Sequence, residues 1–308
     1  MKSTQIIHKR FLIILALLCC FSGGVFAQKK EKERDTLKGF DFFFNAGMYK
    51  AHKFNADYYR GLPDEMDRHY GDPDFNYIMS NKYWYDEIMN WIDDNETGII
   101  LDRRETWALS TMHYKLAFYF EVGARYRFTE SLMLSILFGQ ARLTANGVAS
   151  FGFNSTEVNT PVKYIEYPIM GKERRNIFQV QLSYLFFTTL PYVFPFIEIG
   201  GHLNSVKVVS SEVYFYDRPY DMVNRYGEGY YYDPGTNPPR IDPHIGGIGY
   251  GFMAGFGIRL AFNSWAAIEP VVQISADKLN LSSYGKIRPN YNFMVRLVVG
   301  DKLFSKKK

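Results

Sequence analysis

Leu116-Ala117-Phe118-Tyr119-Phe120-Glu121-Val122-Gly123-Ala124-Arg125-Tyr126-Arg127-Phe128 places large apolar side chains at nearly every even position and charged, small or polar ones between them. Side chains on a strand alternate between its two faces, so one face of this segment is built for an apolar medium and the other is not. The same rhythm recurs along the chain, giving eight such segments in all. The first runs from about Gly39 to Tyr49 with Phe40, Phe42, Phe44, Ala46 and Met48 on one face. After Phe128, the tight turn Thr129-Glu130-Ser131 leads to a strand with Leu132, Leu134, Ile136 and Phe138 outward. Further strands carry Phe178 to Phe186, Ile197 to Leu203, Tyr250 to Phe262, Ile268 to Ile274 and Tyr291 to Val299.

The connections run long, short, long, short. Short turns are expected at Thr129–Ser131, around Pro191-Tyr192 and at Asn263-Ser264-Trp265. Large connections are expected over 50–112, 143–175 and 204–246. An even strand number with this alternation predicts an all-β fold, an antiparallel transmembrane up-and-down β-barrel of eight strands with long extracellular loops. The alternative is a soluble barrel with its apolar face inward. The polar face argues against it, because it offers Gly123, Gly139, Gly200, Gly255 and Gly257 with isolated charges rather than Lys, Thr and Glu. Small residues suit a cramped interior, since eight strands leave room only for packed side chains.

The N-terminus supports the same compartment. Lys2, Lys9 and Arg10 precede an apolar run from Phe11 to Phe21, and Val25-Phe26-Ala27 ends in a small residue, as a cleaved secretory signal over 1–27 requires. A membrane anchor would need about 20 apolar residues, more than this run supplies. A lipoprotein is disfavoured by Leu18 and Cys19 preceding the two cysteines. Cleavage after Ala27 would remove Cys19 and Cys20, leaving no disulfide, thiol nucleophile or cysteine-bound metal. It would also leave 33 Lys+Arg against 32 Asp+Glu, a net of +1, which gives no electrostatic case for nucleic acid. The remaining divisions are a periplasmic leader over 28–38, the barrel with its loops over 39–304, and a basic tail over 305–308.

Inward charges form the first candidate site. Asp41, Glu121, Arg125, Glu198, Arg259, Glu269 and Arg296 share the polar face, most of them four to six residues from the short-turn end of their strands. A three-residue turn at Asn263 places Arg259 opposite Glu269. Opposite charges at one depth predict an ion-pair plug, because unpaired buried charge is costly. A gated proton or ion path is the alternative.

The loops form the second. The connection from Lys50 to Met112 holds 13 Asp+Glu and seven Lys+Arg, with Tyr83, Trp84, Tyr85, Trp91 and Trp107 among them. Tyr83 to Ile92 has helical spacing of Ile88, Trp91 and Ile92. The third long loop carries Tyr214, Tyr216, Tyr220, Tyr226, Tyr230, Tyr231 and Tyr232. Rigid aromatic side chains cost little entropy to fix and make good binding surfaces; packing of the loops on one another is the competing role. Asp93-Asp94-Asn95-Glu96 lacks EF-hand spacing and reads as a solvated turn, so neither a metal nor a cofactor is expected. There is no nucleophile-elbow glycine pattern, and of the five histidines beyond the signal, His52, His69, His113, His202 and His244, none lies beside a serine on a common outward face. His202 is expected inward, near Glu198.

From about Gly39 to Leu303 the alternating strands resemble the small outer-membrane proteins of the OmpA, OmpX and OmpW kind, and the porin-like barrels of Bacteroidota. The resemblance carries no functional residue. It departs at the end, where Phe304 is followed by Ser305-Lys306-Lys307-Lys308 rather than closing on an aromatic. It implies an outer membrane of a Gram-negative cell and contact with outer-membrane lipid. The expectation is a non-enzymatic barrel whose extracellular loops bind other outer-membrane or cell-surface proteins, as an accessory subunit of a secretion, uptake or protein-insertion complex. A stand-alone barrel for envelope integrity or passage of small apolar compounds is the alternative, and a lipid-modifying enzyme the third.

Overall fold

The computed structural model describes residues 39–60, 86–88, 90, 99–100, 107–109, 111–155, 163–190, 192–222, 246–263, 265–281 and 284–300. The expected signal, leader and basic tail lie outside them.

Eight long strands close a ring: β1 (Gly39–Lys50), β5 (Ala117–Arg127), β6 (Leu132–Ser155), β7 (Lys163–Leu185), β8 (Val193–Phe215), β10 (Gly246–Ala261), β11 (Ala266–Lys278) and β12 (Arg288–Gly300). Each pairs antiparallel with the next, and β12 returns to β1. The fold is an antiparallel up-and-down β-barrel, which leaves no open edge around the ring. Among the described residues four short strands accompany it. β2 (Ile99–Ile100), β3 (Trp107–Leu109) and β4 (His113–Tyr114) pair with β6, and β9 (Arg218–Asp221) pairs with β8.

The alternation decides which face points where. Phe40, Phe42, Met48, Phe118, Val122, Ile136 and Phe252 are each about half or more exposed. Their neighbours Asp41, Asn45, Glu121, Arg125 and Arg296 are buried. The barrel is thus inverted relative to a soluble protein, with an apolar exterior and a polar core. Trp265 and Tyr192 are exposed beside the short turns, the position that interfacial aromatic residues take in transmembrane barrels.

Polar side chains close those turns. Thr129 Oγ1 accepts from the Leu132 amide at 2.9 Å, and Asn263 Oδ1 accepts from the amides of Trp265 and Ala266 at 2.9 and 2.7 Å. The pairs Gly257↔Val271 and Leu260↔Ile268 fix a register that sets Arg259 opposite Glu269, as the three-residue turn requires. The β10–β11 ladder is interrupted between those pairs, where Pro270 has no N–H to donate.

Two expected loops are corrected. Much of 143–175 is strand: β6 and β7 pair continuously from Leu132↔Tyr184 to Phe153↔Lys163. The sequence 204–246 likewise begins as strand, because β8 continues to Phe215 and turns back into β9. Above the apolar belt the outward residues become polar, so the alternation that marks a lipid-facing strand fades while the pairing continues. At 23 or 24 residues, β6, β7 and β8 are about twice as long as β1 and β5. A membrane-spanning strand needs only about 9–11 residues. These three therefore rise on one side as a wall, roughly 30–40 Å beyond the belt at ~3.3 Å per residue.

Candidate functional site

Inside the barrel the polar side chains meet in two tiers. In the lower tier Glu269 sits among three arginines: Arg125 at 2.9 Å, Arg259 at 2.9 Å and Arg296 at 3.2 Å. Arg127 Nε donates to Asp41 at 2.9 Å, with Arg125 3.6 Å and Arg259 3.7 Å from the same carboxylate. Arg296 reaches Glu198 at 3.2 Å, and Gln181 donates to Glu198 at 3.2 Å. Asn45 joins Glu121 to the group, donating to it at 2.6 Å and accepting from Arg296 Nε at 3.1 Å. The guanidiniums of Arg125 and Arg296 lie 5.1 and 4.9 Å from the Phe43 ring. Phe43 has room because Gly123 faces it, where a Cβ would stand 2.7 Å from the ring.

The structure thus brings Asp41, Glu121, Arg125, Glu198, Arg259, Glu269 and Arg296 together and adds Arg127. Four acids face four arginines, so the tier is neutral. Buried charge is tolerable only in such a paired and hydrogen-bonded state.

The upper tier was not foreseen. Glu173 accepts from Tyr59 and Tyr114 at 2.5 and 2.9 Å and pairs with Arg175 at 2.5 Å. Arg175 also donates to Tyr49 at 2.9 Å and to Tyr114 at 3.3 Å. Beside this group Asp277 is held by His202 at 2.6 Å, Ser275 at 3.1 Å and Asn290 at 2.5 Å. His202 is therefore inward as expected, but its partner is Asp277 rather than Glu198. Ser275 Oγ donates to the carboxylate and not to the imidazole, so these three groups do not form a hydrolase triad.

The mouth above is covered by the start of the first long connection. Helix α1 (Lys53–Ala56) and the 3-10 turn Asp57–Arg60 fold back over the lumen, burying Asn55, Ala56, Tyr58 and Tyr59. His52 caps α1, its Nδ1 accepting from the Phe54 amide at 3.1 Å. Burial and the nearby Arg288 and Lys53 hold the His52 pKa below its ordinary value. Phe54, Tyr58 and Tyr284 pack ring on ring, and the Arg288 guanidinium covers Phe54 at 4.3 Å. Tyr59 presses against Gly171, where a Cβ would come within 2.1 Å of its ring. Asp57 Oδ1 accepts from the Met112 amide at 2.9 Å, pinning the turn to the far end of the same connection.

Of the loop candidates, Tyr214 is half-buried and donates to Glu212 at 2.8 Å. Tyr216 is 40% exposed at the β8–β9 turn, with φ of 52° and its ring 5.8 Å from Tyr167. Tyr220 is buried against Phe215. Ile88 is buried, and Glu87 pairs with Arg218 of β9, so the helical residues 86–88 lie on the wall. Trp107 is in β3, its backbone beside Phe151. Tyr83, Trp84, Tyr85, Trp91, Tyr226, Tyr230, Tyr231 and Tyr232 lie outside the described residues, as do Asp93 to Glu96. No group of His, Cys, Asp and Glu suited to a metal occurs among the described residues. On the outer surface, Ala46, Phe256, Ile258, Pro270, Val272 and Phe293 line an apolar cavity of about 430 Å³.

The sequence carried signals for what it did not yield. Arg127 has the inward parity of Arg125, and Asn45 that of Asp41. Glu173 and Arg175 alternate in phase with Gln179 and Gln181 once the strand is extended upward.

No protein-family model matches the chain, and no curated protein matches it. Among solved structures it is similar to Neisserial surface protein A, at 9% identity over 85% of this chain and 97% of that one, with a TM-score of 0.39. It is similar to OprG of Pseudomonas aeruginosa at 9% identity over 85% and 94%, with a TM-score of 0.35.

Proposed function

We propose that this protein is a non-enzymatic barrel of a Gram-negative outer membrane, with a filled lumen, whose extracellular wall and loops bind an envelope protein. In this role it is an accessory subunit of a secretion, uptake or protein-insertion complex. The observation that carries the reading is the contrast between lumen and wall. Two tiers of paired side chains and the α1 cover occupy the interior, while β6, β7 and β8 extend far past the length a membrane needs. The exposed apolar belt from Phe40 to Phe293 supports a membrane setting, since soluble monomers rarely leave a large continuous apolar patch in water. The test is co-purification of the tagged protein from outer membranes in mild detergent. A stoichiometric envelope partner supports the reading; recovery of the barrel alone argues against it.

A second reading is favoured by the outer cavity at Pro270. A barrel that passes small apolar compounds sideways into the bilayer would use an apolar recess beside an interrupted ladder. Uptake of a small aromatic solute into liposomes separates the two: partner binding predicts no uptake above empty liposomes.

A further inference from the structure

Three strands of the wall carry a row of cations. In the β6–β7 register Arg142 stands opposite Arg174, and in the β7–β8 register Arg174 stands opposite Lys207. All three share the outward parity of Phe138, Phe178 and Leu203, which are exposed and lie four residues below on the same strands. Lys172, exposed on β7 two residues from Arg174, extends the patch upward. Like charges directly opposite one another on a sheet face destabilise it. Among the described residues no carboxylate lies within ion-pair distance of Arg142, Lys172 or Arg174, and Arg174 Nε is buried without a hydrogen-bond partner. Inside the barrel Arg125, Arg127, Arg175, Arg259 and Arg296 are each matched with an acid, and Arg142 and Arg174 on the outer face depart from that pattern.

Depth says what the row faces. Between the apolar row and the cations lies one polar row, Gln140, Asn176 and Ser205, with Gln140 donating to Asn176 at 2.8 Å. Exposed Ile248 of β10 stands opposite Ser205, so the apolar belt reaches this level on the adjoining strand. Four residues correspond to ~13 Å along a strand, or roughly 10 Å in depth at a typical barrel tilt. That distance separates the hydrocarbon from the headgroups of the same leaflet. The long-connection end of the barrel carries the row, so the leaflet is the outer one.

We propose that Arg142, Lys172, Arg174 and Lys207 form a binding site for the phosphate groups of a phosphorylated glycolipid in the outer leaflet. The guanidiniums of Arg142 and Arg174 supply forked donors that match phosphate oxygens, and the lysines add charge. Acyl chains of the same lipid would lie along Phe138, Phe178 and Leu203 below. The site rests on the outer-membrane reading above and gives the wall a lipid ligand in addition to a protein one.

The test uses the purified full-length protein in non-ionic detergent, titrated with diphosphoryl lipid A and with enzymatically dephosphorylated lipid A. The wild type is expected to favour the phosphorylated form at least tenfold. Arg142→Gln and Arg174→Gln should each weaken that binding about fivefold, and R142Q/K172Q/R174Q should abolish the preference, as expected at roughly fivefold per cation at a lipid surface. Heat-modifiable gel mobility confirms that each variant is folded. Equal binding of the two lipids, or an undiminished preference in the folded triple variant, overturns the site. Fractionation of cells separates this from failure of the broader reading. Absence from the outer membrane defeats that reading, whereas outer-membrane residence without phosphate preference defeats only the site.

Discussion

Glu269 shows how much a single residue carries. Three arginines converge on it at 2.9 to 3.2 Å in a space with no access to water. Glu269→Gln removes one charge from a neutral cluster and leaves an excess of arginine. Breaking a buried pair in this way costs about 3–5 kcal/mol, and the midpoint of urea unfolding in detergent should fall accordingly. Gly171→Val places a side chain where the Tyr59 ring lies. It should displace the α1 cover and expose 53–60 to added protease, while Gly171→Val with Tyr59→Ala should restore protection in part. His52 sets a pH dependence. Its lowered pKa means that the folded state prefers the neutral ring, so its contribution is complete above the ordinary histidine pKa of about 6.5 and declines as pH falls through it. Protonation converts Nδ1 from acceptor to donor and removes the α1 cap. Protection of the Phe54 amide, corrected for intrinsic exchange, should drop between about pH 7.5 and 5, and His52→Asn should make it insensitive to pH. The lower tier was legible at this scale because charge at a fixed strand parity has one reading. Tyr59 and Tyr114 were not, because their partners Glu173 and Arg175 come from a strand whose upper half bears no apolar signature.

Elements were easiest to place where the apolar belt constrains them. The outward runs of β1, β5 and β12 end close to where their apolar residues end. The upper halves of β6, β7 and β8 face no such constraint, and their sequence carried only turn-poor, mixed-polarity residues that read as connection. What holds them is pairing: 22 residue pairs run from Leu132↔Tyr184 to Phe153↔Lys163. β2, β3 and β4 cover the β6 edge, and β9 covers β8 with Pro219 at its own edge, which blunts further strand addition. The β8–β9 hairpin has a weak point. Tyr216 has a φ of 52°, a region that non-glycine residues reach at some cost and that Asn tolerates best. Tyr216→Asn should leave the thermal midpoint nearly unchanged, whereas Tyr216→Val, with its branched Cβ, should destabilise by about 1–2 kcal/mol.

At the scale of the whole molecule, an ordinary barrel has been filled below and built upward on one side. The ring closes with β12 on β1, and among the described residues its lower polar interior pairs acids with arginines. Solute flux through reconstituted protein should therefore match that of empty liposomes. The wall is the part that a filled barrel does not need, and the proposed partner binding belongs to it. Photocrosslinking in living cells tests that assignment most directly, with the crosslinking residue at Glu166, exposed on upper β7, and at Phe178 in the apolar belt as reference. The account predicts one discrete protein adduct from Glu166 and none from Phe178. A folded outer-membrane protein that gives no protein adduct from Glu166, or the same adducts from both positions, would contradict it.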